Sequence, residues 1–310
     1  MKIYNINLKT EITEKFFYLA IVNFDGVHIG HQEIISSLVE DAKKNNKPSA
    51  ILSFQPHPRQ YFSKELSKYQ IIYEKEKQEI LKKLKIDYYF LLNFDASIAN
   101  LLAQEFIEKI IIKKLNISKL TVGYDFRFGK NRQGDINLLQ DYSNIHGFAL
   151  NIIDPIKDKK IKEVFSSTLI REFIRNGKID KANMMLGRPW TMNGTIIYGD
   201  QQARKMNFPT ANIIPSTCIH PLKGVYAVNI LFDNQTYIGI ANFGERPTLD
   251  GKKLLLEVHI FDFNEDIYGK HLTVEFLTFI REEKKFDSFS LLANQVEKDI
   301  QIVREYHLNK

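Results

Sequence analysis

The sequence predicts an α/β domain built on a parallel sheet, followed by an antiparallel β-barrel with a C-terminal helix. Three observations carry this. Up to residue 153, short apolar runs alternate with segments of helical period. Beyond Pro189 the chain changes to short strands parted by turn residues. From 288 to 306 the helical spacing returns. A length of 310 residues fits two domains at about 150 residues each. The break is expected near Leu186 to Pro189, giving domains 1–186 and 187–310.

In order along the chain, residues 18–24 (YLAIVNF) read as a buried strand. After Gly30, the residues Ile34, Ile35, Leu38, Val39 and Ala42 recur at helical spacing. Residues 49–54 are a second strand, and 75–84 a helix with Ile80, Leu81 and Leu84 on one face. A third strand at 88–94 precedes a long helix at 98–115. The fourth strand, 120–124, leads through a glycine-flanked loop to a helix containing Leu138 and Leu139, and 148–153 is the fifth. Strands separated by helices argue for parallel pairing with right-handed crossovers. In the second half, GVYAVNILF and TYIGIANFG flank Asp233-Asn234, the composition of a hairpin turn. LLLEVHIF and HLTVEFLTFI are two more strands, divided by Asn264, Glu265, Asp266 and Gly269. Leu292, Val296, Ile300 and Val303 share one face of the terminal helix.

Composition excludes several classes. The 43 Lys and Arg against 37 Asp and Glu leave a formal charge of +6, which permits an anionic partner without selecting one. The barrel strands lack the clustered cations and aromatic stripe of a single-strand nucleic-acid surface, so no nucleic-acid partner is expected. A single cysteine, Cys218, excludes an intrachain disulfide framework and a cysteine-rich zinc site. The start, MKIYNINLKTEITEK, has no apolar signal core, and no run approaches the roughly 20 apolar residues of a membrane span. A soluble, cytoplasmic protein without a membrane partner is expected; nothing in the pattern selects an oligomeric state.

The stretch FDGVHIGH, Phe24 to His31, sits where the first strand gives way to its helix. Ligands of open parallel sheets bind beyond the carboxyl ends of the strands. The helix start there offers backbone N–H groups and about half a positive charge. Gly26 and Gly30 let backbone approach a ligand, and His28 and His31 add two donors. This set suits a polyphosphate better than a carbonyl or a metal, with a helix cap or a metal pair as the alternatives. Glu257 stands out separately, as a carboxylate in an otherwise apolar strand. It shares a strand face with His259, which reads as a packed neighbour. GYDFRFGKN is not a phosphate-binding P-loop: five residues separate Gly123 from Gly129, and Asn131 stands where Ser or Thr belongs.

Several segments then resemble one family. His28 to His31 is similar to the H-x-G-H signature of the nucleotidyltransferase superfamily, which has a Rossmann-like fold. FQPHP at 54–58, VGYDFRFGKNRQGD at 122–135 and SSTLIREFIRNG at 166–177 resemble further segments of its flavin branch. PTAN at 209–212, GVYAV at 224–228, NFGERPT at 242–248 and IREEKKF at 280–286 resemble riboflavin kinases. Together they are similar, over nearly the whole chain, to the bifunctional riboflavin kinase and FMN adenylyltransferase family.

The resemblance implies a Rossmann-like nucleotidyltransferase domain followed by a barrel kinase domain. Riboflavin and ATP would give FMN; FMN and ATP would then give FAD and pyrophosphate. His28 and His31 would bind the triphosphate and stabilise its growing charge. Phe24, Gly26, Gly30, Asp125, the hydroxyls of Ser166, Ser167 and Thr168, and Arg171 would complete that nucleotide site. In the barrel, Gly199, Thr210 and Asn212 would hold the second ATP, with Thr210 and Asn212 as hard oxygen ligands for Mg²⁺. Glu257 would be the general base toward the ribityl hydroxyl. Flavin contacts would fall to His57, Arg127, Asn242 and Arg281, with loop bracing an equal alternative for Arg127. The sequence departs from the pattern at Val22, Leu169 and Asp125, where many relatives carry Gly, Arg and Asn. It also has Gln201, Gln202, Ala203 and Asn207 in place of a glycine-rich loop. These departures motivate one alternative: an adenylyltransferase whose kinase half is impaired.

Overall fold

The computed structural model describes residues 1–22, 24–63, 68–156, 163–197, 208–215, 218–248 and 251–308. Strands β1 (Lys2–Ile6), β2 (Phe17–Ile21), β3 (Ser49–Gln55), β4 (Tyr88–Asn93), β5 (Ile117–Gly123) and β6 (Ala149–Ile153) form one sheet. Its order is β1-β4-β3-β2-β5-β6 and every pair is parallel. The connections are helical, as parallel neighbours require: α1 (Ile29–Lys44) after β2, α2 (Pro58–Phe62) and α3 (Glu74–Lys83) after β3, and α6 (Ile136–His146) after β5. Phe17, Leu19, Leu52, Phe90 and Leu92 from the sheet meet Phe106, Ile107 and Ile110 in the core. Each such side chain, fully buried, contributes roughly 1.5–3 kcal/mol.

Two features depart from the expectation. β1 is an additional edge strand; KIYNI buries only Ile6 fully, so it carries little hydrophobic signal. The long helix expected at 98–115 is divided. Asp95 caps α4 (Ala96–Ala99) by accepting from Ser97 N at 2.8 Å, and Glu105 accepts from Leu102 N at 2.9 Å to start α5 (Ala103–Phe106). α5 runs on as a π-helix over Ile107–Lys114. One N-terminal capping signal just before the apolar window and a second inside it thus override its period. The break leaves the Leu101 carbonyl to accept from Lys130 N at 2.7 Å, which docks the loop after β5.

The second half is a closed antiparallel barrel of β7 (Trp190–Ile197), β8 (Ala211–Ile213), β9 (Gly224–Phe232), β10 (Gln235–Thr248), β11 (Gly251–Ile260) and β12 (His271–Arg281), ordered β10-β11-β8-β7-β12-β9. β9 pairs with β10 to close it. Asp233 and Asn234 both have positive φ, +50° and +61°, as a type I′ hairpin turn requires. Gly224 has φ +152°, and a Cβ there would run into the Arg281 carbonyl. α9 (Phe289–Leu308) follows the barrel. Among the described residues no helix is long and apolar enough to cross a membrane.

The chain divides into two units, Met1–Ser67 with Tyr73–Ser166, and Lys68–Ile72 with Ser167–Lys310. The boundary expected after residue 186 lies at the end of α8 (Ile179–Leu186), whereas this division precedes α7 (Ser167–Arg175). The reason is bonding to the barrel: Asn183 donates to Phe276 O at 2.8 Å and accepts from Trp190 N at 2.7 Å. The short stretch 68–72 joins the same unit through Trp190 Nε1, which donates to Ile71 O at 2.8 Å, and through Ile219 N, which donates to Gln70 O at 2.8 Å.

α9 is tied to the barrel by one buried ion pair. Arg281 Nε donates to both carboxylate oxygens of Asp299, and Nη2 adds a third bond at 2.7 Å. Asp299 is 1% exposed. Asp299→Ala should therefore destabilise the second unit by roughly 3–5 kcal/mol, because it strands a buried charge. Urea unfolding followed by the fluorescence of Trp190, the only tryptophan, measures this directly.

Candidate functional site

The first site is made by the turn between β2 and α1. Gly26 has φ +83° and Val27 φ +39°. Two consecutive left-handed residues reverse the chain within a few positions, and for a β-branched valine that conformation is strained. Val27 is fully buried, and its carbonyl accepts from Gln32 Nε2 at 2.9 Å. The turn delivers His28 to the N-cap of α1, where its Nδ1 accepts from His31 N at 3.2 Å. An accepting Nδ1 puts the ring proton of neutral His28 on Nε2.

His31 lies one turn on. The two imidazoles stack at 3.5 Å between centroids, and Phe24 meets His31 edge-on at 5.2 Å. Both histidines are buried, at 4% and 6% exposure, and His31 Nδ1 has no hydrogen-bond partner. Burial first, then the nearby His28, hold the His31 imidazole well below its ordinary 6.5. α1 carries no acidic residue in its first turn, so the positive end of its dipole is not neutralised there. A Cβ on Gly30 would stand 3.0 Å from Phe165 Cβ and 3.4 Å from the His28 ring, so glycine keeps the ring's place open. Among the described residues no cluster of three or more His, Cys, Asp or Glu is placed to hold a metal ion. The arrangement presents donors to an anion.

The other candidates of this unit have varied surroundings. His57 caps α2, its Nδ1 accepting from Arg59 N at 3.1 Å. Arg127 pairs with Asp135 at 3.3 Å, and Asp135 caps α6. Asp125 lies in the loop after β5, beside Gly123. Ser166 immediately precedes α7. Ser167, Thr168 and Arg171 belong to the second unit, where Arg171 Nε donates to Tyr69 O at 2.9 Å and its guanidinium lies 3.7 Å above the Tyr69 ring.

The second site lies on the barrel. Asn212, Glu257 and Asn242 are direct partners across β8, β11 and β10, so their side chains share one face in a row. Asn212 is 8% exposed, and Thr210 lies two residues before it. His259 Nδ1 meets Pro209 O at 2.9 Å, which fixes the backbone leading into Thr210; burial pushes this imidazole down as well. A cavity of about 180 Å³ opens beside Thr210, walled by the apolar Val258, Ile260 and Phe263 and by the polar Asn264, Glu265 and Asp266. Gly199, Gln201, Gln202, Ala203 and Asn207 lie outside the described residues.

Glu257 is not alone in its row. Arg246 Nε donates to its Oε1 at 2.8 Å and Nη2 donates to its Oε2. Arg246 Nη1 donates to Glu283 Oε1 and to Glu245 O, both at 3.2 Å. The Asn242 amide oxygen accepts from Nη2, and its nitrogen donates to Gly224 O at 3.3 Å. Arg246 and Glu283 were not singled out from the sequence. The period-two pattern N-x-G-x-R over 242–246 held the signal for Arg246, since residues two apart on a strand share a face. Arg281, expected at a flavin, is committed to Asp299 and, through Nη1, to Glu282 O at 2.9 Å.

Comparison with known proteins follows the two halves. Residues 11–169 match the family model for FAD synthetase, and residues 186–307 that for riboflavin kinase. A bifunctional riboflavin kinase/FMN adenylyltransferase of Haemophilus influenzae is 39% identical over 293 residues, 93% of each chain. The Escherichia coli K12 protein of the same description is 36% identical over 93% of this chain and 92% of its own. A solved Streptococcus pneumoniae structure described as a macrolide-efflux protein superposes with a TM-score of 0.87 at 31% identity, over 97% of this chain and 98% of that one.

The buried imidazole makes a prediction about pH. A folded-state pKa below the unfolded one gives no penalty above about pH 6.5, while below it the unfolded chain takes up a proton that the buried ring refuses. Stability of the first unit should thus fall with acidification, from this group by up to about 1.4 kcal/mol per pH unit. His31→Gln should flatten that dependence, as read from urea midpoints by circular dichroism at about pH 7 and about pH 5.5.

Proposed function

The chain belongs to the bifunctional riboflavin kinase/FMN adenylyltransferase family, and from that premise we propose that each of its two reactions is carried by one of the two sites. The enzyme phosphorylates riboflavin with ATP to FMN, then transfers AMP from ATP to FMN, giving FAD and pyrophosphate. Adenylyl transfer is assigned to His28 and His31. The observation that carries this is the buried, unpartnered Nδ1 of His31 beside a helix start free of acidic residues. An oxygen of the FMN phosphate bonds to the α-phosphorus of ATP as the bond to the bridging oxygen breaks. Ring N–H groups of His28 and His31, and the amides of Ile29 and Gly30, receive the charge that grows on the phosphates. Neither imidazole needs to remove a proton, because the acceptor phosphate is already ionised. Phe24, Gly26 and Gly30 shape this cradle; His57, Asp125 and Arg127 are the unit's remaining candidates for nucleotide or flavin.

The kinase reaction is assigned to the row Asn212–Glu257–Asn242. Glu257 takes the proton of the ribityl hydroxyl as its oxygen bonds to the γ-phosphorus and ADP leaves. The Thr210 hydroxyl and the Asn212 amide oxygen are hard, uncharged donors, a set that fits Mg²⁺ held jointly with phosphate oxygens. When bound, that ion neutralises charge on the β- and γ-phosphates. The cavity beside Thr210, walled by apolar residues and by Asn264, Glu265 and Asp266, suits a base with an apolar face and polar edges, such as adenine. A soluble enzyme acting on these small molecules is the reading throughout.

Product chromatography separates the assignments. His28→Ala with His31→Ala should lower FAD formation from FMN by about a hundredfold or more and leave riboflavin phosphorylation intact. Glu257→Ala should lower FMN formation from riboflavin by about 10²–10⁴-fold and leave FAD formation from supplied FMN intact. The reading with an impaired kinase requires that the wild-type chain make FAD from FMN but no FMN from riboflavin.

A further inference from the structure

Glu257, the base of the proposed kinase reaction, is held by a guanidinium on both of its oxygens. A carboxylate in that fork is poorly placed to accept a proton, since the lone pairs best aimed at a donor on each oxygen are already filled by Arg246. The ribityl hydroxyl must hand its proton to a Glu257 oxygen as the bond from that hydroxyl to the γ-phosphorus forms and the bond from the γ-phosphorus to the bridging oxygen breaks. Arg246 therefore has to vacate at least one Glu257 oxygen during turnover.

A second carboxylate stands ready to receive it. Arg246 Nη1 already donates to Glu283 Oε1 at 3.2 Å, long for a charge-assisted bond and open to tightening. All five N–H groups of Arg246 are engaged, so a donor leaving Glu257 needs another acceptor. The site is built for Glu283. Gly244 leaves the volume that the carboxyl occupies, because a Cβ there would overlap Glu283 Oε1. Arg281, two residues before it, is fixed to Asp299, which holds the root of the segment in place. The side chains of Arg246, Glu257 and Glu283 are 34%, 24% and 32% exposed, so exchanging partners involves no buried stranded charge.

We propose that Arg246 and Glu283 are positioning residues of the kinase reaction, Arg246 passing from Glu257 to Glu283 when riboflavin enters and so freeing the base. This rests on the assignment of Glu257 as the base. In the absence of riboflavin the same fork keeps the carboxylate oriented and its oxygens occupied.

Steady-state kinase kinetics on the full chain test the exchange through a suppressor. Glu283→Gln keeps the shape and removes the charge that draws Arg246 away. It should lower kcat about tenfold, the scale of one charge-assisted hydrogen bond, with the riboflavin KM changed far less. Gly244→Ala, which displaces the Glu283 carboxyl without altering any charge, should have the same signature. Adding Arg246→Gln to Glu283→Gln should raise kcat again, because the clamp is gone. A Glu283 that merely braced its loop would not be rescued by deleting its partner. Wild-type kcat in Glu283→Gln, or a double variant no faster than Glu283→Gln, overturns the exchange. Kinase turnover retained in Glu257→Gln overturns the base assignment instead, so the two failures are distinguishable. Thermal melts of each variant confirm that the barrel is folded.

Discussion

A polyanion settles where donors converge, and residues 24–31 bend the backbone out of its comfortable range to bring two imidazoles to a helix start whose first turn carries no acidic residue. Gly26 and Val27 both have positive φ. The valine conformation costs about 1–2 kcal/mol. Full burial of Val27 and the bond from Gln32 to its carbonyl offset that cost. What the strain provides is placement: His28 becomes the cap of α1, and the cap in turn sets its tautomer. Stacking on His31 then fixes both rings in one plane-on-plane geometry. The proposed nucleotide cradle thus rests on a turn that is locally unfavourable and globally held.

The barrel handles charge in a different manner. The row Asn212–Glu257–Asn242 spans three neighbouring strands, so its spacing is set by backbone pairing and not by loop conformation. A carboxylate in such a row would repel incoming phosphates if left bare. Arg246 screens it, and Asn242 and Glu283 in turn hold Arg246. The Arg281–Asp299 pair performs the same task one layer outward, since it anchors the segment from which Glu283 projects. Stability and function are thereby linked along one chain of ion pairs.

Much of this was legible in the sequence, and the exceptions have physical causes. The alternation of strands and helices, the Asp233-Asn234 turn and the terminal helix follow from period and turn chemistry, both local properties. β1 escaped because an edge strand with one fully buried residue carries no pattern. The divided helix at 96–114 escaped because Asp95 and Glu105 act by capping, which competes with period. His28, His31 and Glu257 stood out because their residue types are unusual where they occur. Arg246 and Glu283 did not, because charged residues beside a turn and in a polar segment look ordinary. Their meaning comes from register: β10 lies against β11, and only that pairing brings Arg246 onto Glu257.

The two sites also differ in what their reactions demand. A phosphate acceptor arrives ionised, so adenylyl transfer asks for donors; in the proposed assignment two imidazoles and a helix start supply them. A hydroxyl acceptor arrives protonated, so phosphorylation asks for a base; in the proposed assignment Glu257 is that base, and a guanidinium holds it. The product of the second chemistry is the substrate of the first. The barrel thus converts an acceptor that needs proton removal into one that does not, and the sheet site is spared a base for that reason. The division between the units follows the protonation state of the acceptor that each one meets.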